Sequence, residues 1–122
     1  MCTSRALRSL LQIRPVKVAG RATMVSGDLK SWEHRGAVPL SSDNVIDACV
    51  HRVPTGGYRM WYKDESDSSS TWAVDSVDLE NWHDARRVLV TAGGHEGPNV
   101  FRFRGTYWLI VDSWDGQLVN CS

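Results

Sequence analysis

The sequence predicts an all-β fold made of a repeated four-stranded antiparallel unit, an incomplete β-propeller of about two to two and a half blades. Two recurrences at nearly the same period carry this reading. Ser26, Asp28, Leu29 and Trp32 return as Ser76, Asp78, Leu79 and Trp82, 50 positions on. Gly56, Tyr58 and an acid eleven residues before that tyrosine, Asp47, return 49 positions on as Gly105, Tyr107 and Glu96. A third observation removes the helical repeats from consideration, because no segment of the repeat shows an apolar period of about 3.6 residues.

Residues 1–20 stand outside the repeat. Five basic residues, Arg5, Arg8, Arg14, Lys17 and Arg21, precede the first acid, Asp28, which is the composition of a mitochondrial-type presequence. A short helix is expected over Arg5 to Gln12, and Pro15 stops the helical pattern soon after it, so an unrelated start is the preferred reading. Leu10-Leu11 is too short an apolar core for a secretory signal.

The propeller-like part spans 21–122. A strand over Arg21 to Val25 leads into the first Ser-x-Asp-Leu connector, where Ser and Asp cap a turn while Leu and Trp drop back onto the sheet. Ile46 to Val53 reads as a strand, Pro54-Thr55-Gly56-Gly57 as a turn, and Tyr58 to Lys63 as a strand presenting Tyr58, Met60 and Tyr62 on one face. Asp64 to Ser70 is a polar loop. Thr71 to Asp75 forms the third strand, the second connector follows, and an outer strand is expected over Arg87 to Thr91. Trp114 to Ser122 reads as the third strand of the next unit. Propellers close with about four to eight blades, so this set does not close a ring alone, and its open sheet edges predict self-association.

Fourteen basic residues balance fourteen acidic ones, so nothing points to nucleic acid or to an anionic membrane as partner. No apolar run approaches the length of a membrane span, and the compartment stays unassigned, cytoplasmic by default. Cys2, Cys49 and Cys121 have neither disulfide-like nor metal-like spacing. Cys49 and His51 fall on the strand face of Asp47 by period-two alternation. Two ligand types on one strand without a second cluster do not make a zinc site, and no metal is expected.

The chemistry concentrates in Gly94-His95-Glu96-Gly97-Pro98. A carboxylate beside a Gly-Pro bend at the mouth of a sheet is shielded on one side and can still reach a substrate, which suits a general acid. His95 reads either as a hydrogen-bond donor to a sugar hydroxyl or as a structural histidine. Trp114 is a candidate pocket wall, since aromatic faces pair with sugar rings. Asp112 either reaches the same mouth or begins a polar loop. Trp32 and Trp82 read as packing residues, and Trp61 and Trp108 as core.

Taken together, Asp47 before a Gly-Tyr strand pair, the Ser-x-Asp-Leu-x-x-Trp connectors, and Glu96-Gly97-Pro98 before Phe101 and Gly105-x-Tyr107-Trp108-Leu109 resemble the five-bladed β-propeller glycosidases of glycoside hydrolase family 43. Met60-Trp61-Tyr62-Lys63-Asp64-Glu65 and Trp108-Leu109-Ile110-Val111-Asp112-x-Trp114 add to the likeness. The resemblance implies hydrolysis of O-glycosidic bonds in oligo- or polysaccharides by an inverting mechanism, with acid and base separated by roughly 6.5 to 9.5 Å. It implies Glu96 as the general acid and Asp47 as the residue that orients the acid and tunes its protonation. His95, Trp114 and Asp112 would bind the carbohydrate. No cofactor is implied, although some members hold calcium near the axis. The family's base Asp would fall one period before Asp47, near position minus two. The alternative expectation is therefore a non-catalytic carbohydrate-binding or inactive propeller module that lacks the general base.

Overall fold

The computed structural model describes residues 21–114 and 119–121, and these are all-β, with antiparallel sheets of two to four strands. The helix expected over Arg5 to Gln12, Cys2, and part of the final strand lie outside the described residues. The first sheet pairs β1 (Arg21–Val25) with β2 (Glu33–Val38). The second is the meander β3 (Val45–Arg52), β4 (Tyr58–Asp64), β5 (Ser70–Ser76) and β6 (Trp82–Val90). The third joins β7 (His95–Phe103), β8 (Thr106–Ser113) and β9 (Val119–Cys121). Among the described residues no helix is long and apolar enough to cross a membrane.

The connectors are local side-chain constructions. Ser76 Oγ accepts from the backbone N–H groups of Asp78 at 3.3 Å and Leu79 at 2.9 Å, while Asp78 Oδ1 accepts from Glu80 and Asn81 at 2.8 Å each. Ser26 and Asp28 repeat this pattern, with donors at Leu29, Lys30 and Ser31. The reversal needs left-handed backbone at the leucine in both copies, φ 62° at Leu29 and 67° at Leu79. The backbone N–H of Asn81 and then its side chain hold the Asp78 carboxyl well below the usual carboxylate range.

The connector places β6 earlier than the sequence suggests. Trp82 already pairs with Ser76, so the outer strand runs from Trp82 to Val90 rather than from Arg87 to Thr91. Two register shifts between β5 and β6 take up the extra length. The two connector tryptophans also part company. Trp82 is buried, whereas Trp32 is 36 % exposed, because Trp82 faces the first sheet and no described sheet lies on the far side of that first sheet.

Val38, Val45, Met60, Tyr62, Val74 and Trp82 form the core between the first and second sheets, with Tyr58 and Leu79 packed against it. Polar anchors close the end of this core near the β2–β3 loop. Tyr62 Oη accepts from Ser41 N–H at 3.1 Å, and Asp64 accepts from the hydroxyls of Ser41, at 2.6 Å, Ser42, at 2.8 Å, and Ser66. Burial works against the charge of Asp64, but these hydroxyls outweigh it and the pKa lies below its ordinary value.

The other face of the second sheet meets β7. In both inner hairpins the strand carries an extra residue. Ile46 pairs with Lys63 and Cys49 with Trp61, so three steps on β3 match two on β4. Likewise Glu96 pairs with Asp112 and Asn99 with Ile110. The left-handed residues in these bulges are Asp47, φ 56°, and Gly97, φ 63°.

Met60 is fully enclosed at the centre of the core. Met60→Ala is expected to cost about 2 to 5 kcal/mol in urea unfolding. A loss below about 1 kcal/mol would show that the first sheet does not share a core with the second.

Candidate functional site

The site is assembled where β7 leaves the second sheet. His95 N–H donates to Ser68 carbonyl at 3.0 Å, and Trp114 N–H donates to Gly94 carbonyl at 3.0 Å, so both ends of the β7–β8 pair are tied down. The His95 ring is fully buried between two threonine hydroxyls, Thr71 Oγ1 at 2.8 Å from Nε2 and Thr91 Oγ1 at 2.7 Å from Nδ1. Thr91 commits its proton to the Gly93 carbonyl at 2.5 Å. Its oxygen therefore accepts from Nδ1–H, and Nε2 accepts from Thr71. With both ring nitrogens taken, His95 acts in this structure as a clamp between sheets.

Asp47 and Glu96 come together by a different register from the one their spacing suggests. The backbone equivalent of Asp47 is Gly97, 50 residues on, and Glu96 corresponds to Ile46. The spacing of 49 is correct for β4 and β8 because the second hairpin is one residue shorter; it does not hold for β3 and β7. The bulge also ends the alternation that put Asp47 on the face of Cys49 and His51. It is Ile46, not Asp47, that shares the ladder with Cys49 on the Trp61 and Lys63 side.

This shift makes the contact rather than breaking it. Asp47 Oδ2 accepts from the Gly97 N–H at 3.1 Å, one residue from Glu96. Two positions along, Cys49 Sγ accepts from Val100 N–H at 3.3 Å. Glu96 is half-buried, and Asp112, its partner directly across β8, is exposed. Like charges placed opposite each other on a sheet are destabilising, and Glu96 and Asp112 are so placed.

Lys63 is the buried residue at this place that sequence reasoning passed over. It is fully enclosed, donates from Nζ to the Asp67 carbonyl at 2.6 Å, and lies 5.9 Å from the centre of the Trp114 ring. Burial pushes its pKa down, while Asp67, Glu65, Asp64 and Glu96 pull it up. Its sequence signal was a lysine on the ladder side opposite Met60 and Tyr62, at the end where the polar loop begins. Gly94 belongs to the stretch the sequence singles out, but its contact with Trp114 was not legible from it. A Cβ there would sit 2.2 Å from Trp114 Cε3, so the indole lies directly on the glycine. Trp114 is 58 % exposed in that position.

No protein-family model and no curated protein matches the chain. The reading of the site therefore rests on its own geometry and on the motif resemblance. Among the described residues no group of three or more His, Cys, Asp and Glu side chains is gathered to hold a metal.

Burial, and then the neighbouring Lys63 charge, holds the pKa of His95 below its ordinary 6.5, with Asp67 acting in the opposite direction. The unfolded chain takes up this proton first as pH falls. The stabilisation is thus complete above about 6.5 and is lost as pH drops from there towards the folded value. Denaturant midpoints should fall between about pH 7 and pH 5, and His95→Gln should flatten that fall. An unchanged slope in the variant would mean that His95 is not the group responsible.

Proposed function

We propose that the chain carries a glycosidase-type acid site on a partial five-bladed propeller scaffold of the family 43 kind, acting on O-glycosidic bonds in oligo- or polysaccharides. The observation that carries this reading is the Asp47 carboxylate bonded to the Gly97 N–H, which fixes one acid beside Glu96 across the junction of two sheets. In this reading Glu96 protonates the leaving oxygen, and Asp47 orients it and tunes its protonation. Asp112 stands opposite Glu96 across the strand pair, within reach of a sugar bound over β7 and β8. An inverting reaction also needs a base on the far side of the sugar to activate water, and the resemblance matches no residue of this chain to that part.

A second reading, carbohydrate binding without turnover, is favoured by Trp114. Its indole lies against Gly94 and is open to solvent, and an exposed aromatic ring can pair with the face of a sugar ring. The two readings differ in one measurement. Turnover of aryl-glycosides, with azide added to stand in for the base, should be detectable and should fall at least about a hundredfold in Glu96→Gln. Equal rates in the two proteins would remove Glu96 from the acid role. Saturable glycan binding lost in Trp114→Ala, with no turnover by the unaltered chain, would select the binding reading.

A further inference from the structure

Lys63 stands on the face of β4 that looks towards β7. It pairs with Ile46 on one side and with Thr71 on the other, and Thr71 in the same row reaches His95 of β7. Lysine is seldom enclosed unless a partner holds its charge. Here the side chain is fully buried, and its hydrogen bond goes to the main chain, the Asp67 carbonyl at 2.6 Å. That bond uses one of the three donors of an ammonium. The loop that supplies it is itself fixed, because the same carbonyl accepts from Ser70 N–H at 3.3 Å and the Asp67 carboxylate accepts from Trp72 and Arg87.

The Trp114 ring lies 5.9 Å from Lys63 Nζ. A cation within about 6 Å of an indole is attracted to it, and more strongly when the cation is cut off from water. Trp114 is a side chain that needs such a hold. It is 58 % exposed, and an open side chain keeps its rotamer freedom unless something favours one rotamer. The bond from Trp114 N–H to the Gly94 carbonyl fixes the main chain, and the missing Cβ at Gly94 leaves room for the ring. Neither draws the ring into that room.

We propose that Lys63 is the positioning residue of Trp114, a buried cation that draws the exposed indole onto Gly94 and keeps it there. This role rests on the reading of Trp114 as a stacking platform for a sugar. Lys63 is enclosed and acts on the ligand only through the indole. A lysine that merely closes the β4–β5 loop would need its N–H but not its charge, and on that point the two roles separate.

The charge can be removed without altering the side chain's carbon skeleton. Burial lowers the pKa of Lys63 from its ordinary 10.5, against the pull of Asp67 and Glu65 in the loop, Asp64 at the end of β4 and Glu96 on β7. His95, also on β7, is the other titrating group that feels Lys63.

The test labels the full chain with 5-fluorotryptophan and follows the Trp114 fluorine resonance, assigned among the six tryptophans by its loss in Trp114→Phe. Raising the pH should move that resonance in one step with a midpoint below 10.5, while the circular dichroism stays unchanged. Lys63→Met should show the high-pH resonance already at neutral pH and lack the step. Lys63→Gln, which keeps a donor for the Asp67 carbonyl, should behave as Lys63→Met does. In the unaltered chain at neutral pH the Lys63 Hε protons should be shifted upfield by the indole ring current, and Trp114→Ala should abolish that shift. If alkali unfolds the chain before any step, the ring-current shift decides. Unshifted Hε protons would overturn the proposal, as would a Trp114 resonance that ignores pH in the folded chain or a step that persists in Lys63→Met. A Lys63→Gln chain indistinguishable from the unaltered one would leave loop closure as the role of Lys63. No sugar enters these measurements, so a failure of glycan binding and a failure of the positioning role are read separately.

Discussion

The hydrogen bond from Gly97 N–H to the Asp47 carboxylate is the contact on which the arrangement of the acids depends. Both partners lie in bulges, and a bulge is what frees a backbone N–H from the strand ladder and turns a side chain out of the alternation. Without the bulge in β3, Asp47 would follow the pleat; without the one in β7, Gly97 N–H would face along its own sheet. The left-handed backbone at both positions is the conformational cost of the joint. Gly97 carries it easily, and Asp47 is one of the few side chains that tolerates it.

Around this joint the molecule supplies rigidity rather than chemistry. His95 spans Thr71 and Thr91 in the buried layer beneath Glu96, and Lys63 provides a buried positive charge among Asp64, Glu65, Asp67 and Glu96. The cation lowers the electrostatic cost of collecting acids at one place. Asp67 extends the same network outwards, accepting from the Trp72 indole at 3.1 Å and from Arg87 at 2.7 Å, so the β4–β5 loop that holds Lys63 is itself tied to β6. Asp75, paired with Arg59 at 2.6 Å and Arg86 at 2.7 Å, does the same lower on the sheet.

The parts of this that are legible in the sequence are the local ones. The Ser-x-Asp-Leu connectors fold through side chain to backbone bonds over two or three residues, so their composition is their structure. The alternation of Tyr58, Met60 and Tyr62 likewise carries the core face of β4 directly. The acid register was not legible. Both hairpins carry the same bulge but the second loop is one residue shorter, so Asp47 and Glu96 keep a spacing that fits β4 and β8 while sitting in different backbone positions. His95 was equally opaque, because its environment comes from Thr71, 24 residues away, and from a loop carbonyl. The exposure of Trp32 shows the same limit: an identical motif has a different fate when no described sheet covers its far face.

The most direct test of this account follows the Gly97 amide by ¹⁵N-resolved NMR as pH is lowered. The amide proton should shift with the titration of a carboxylate, and the shift should vanish in Asp47→Ala while persisting in Glu96→Gln. A Gly97 amide that ignores Asp47, or that follows Glu96 instead, would contradict the joint on which the site is built.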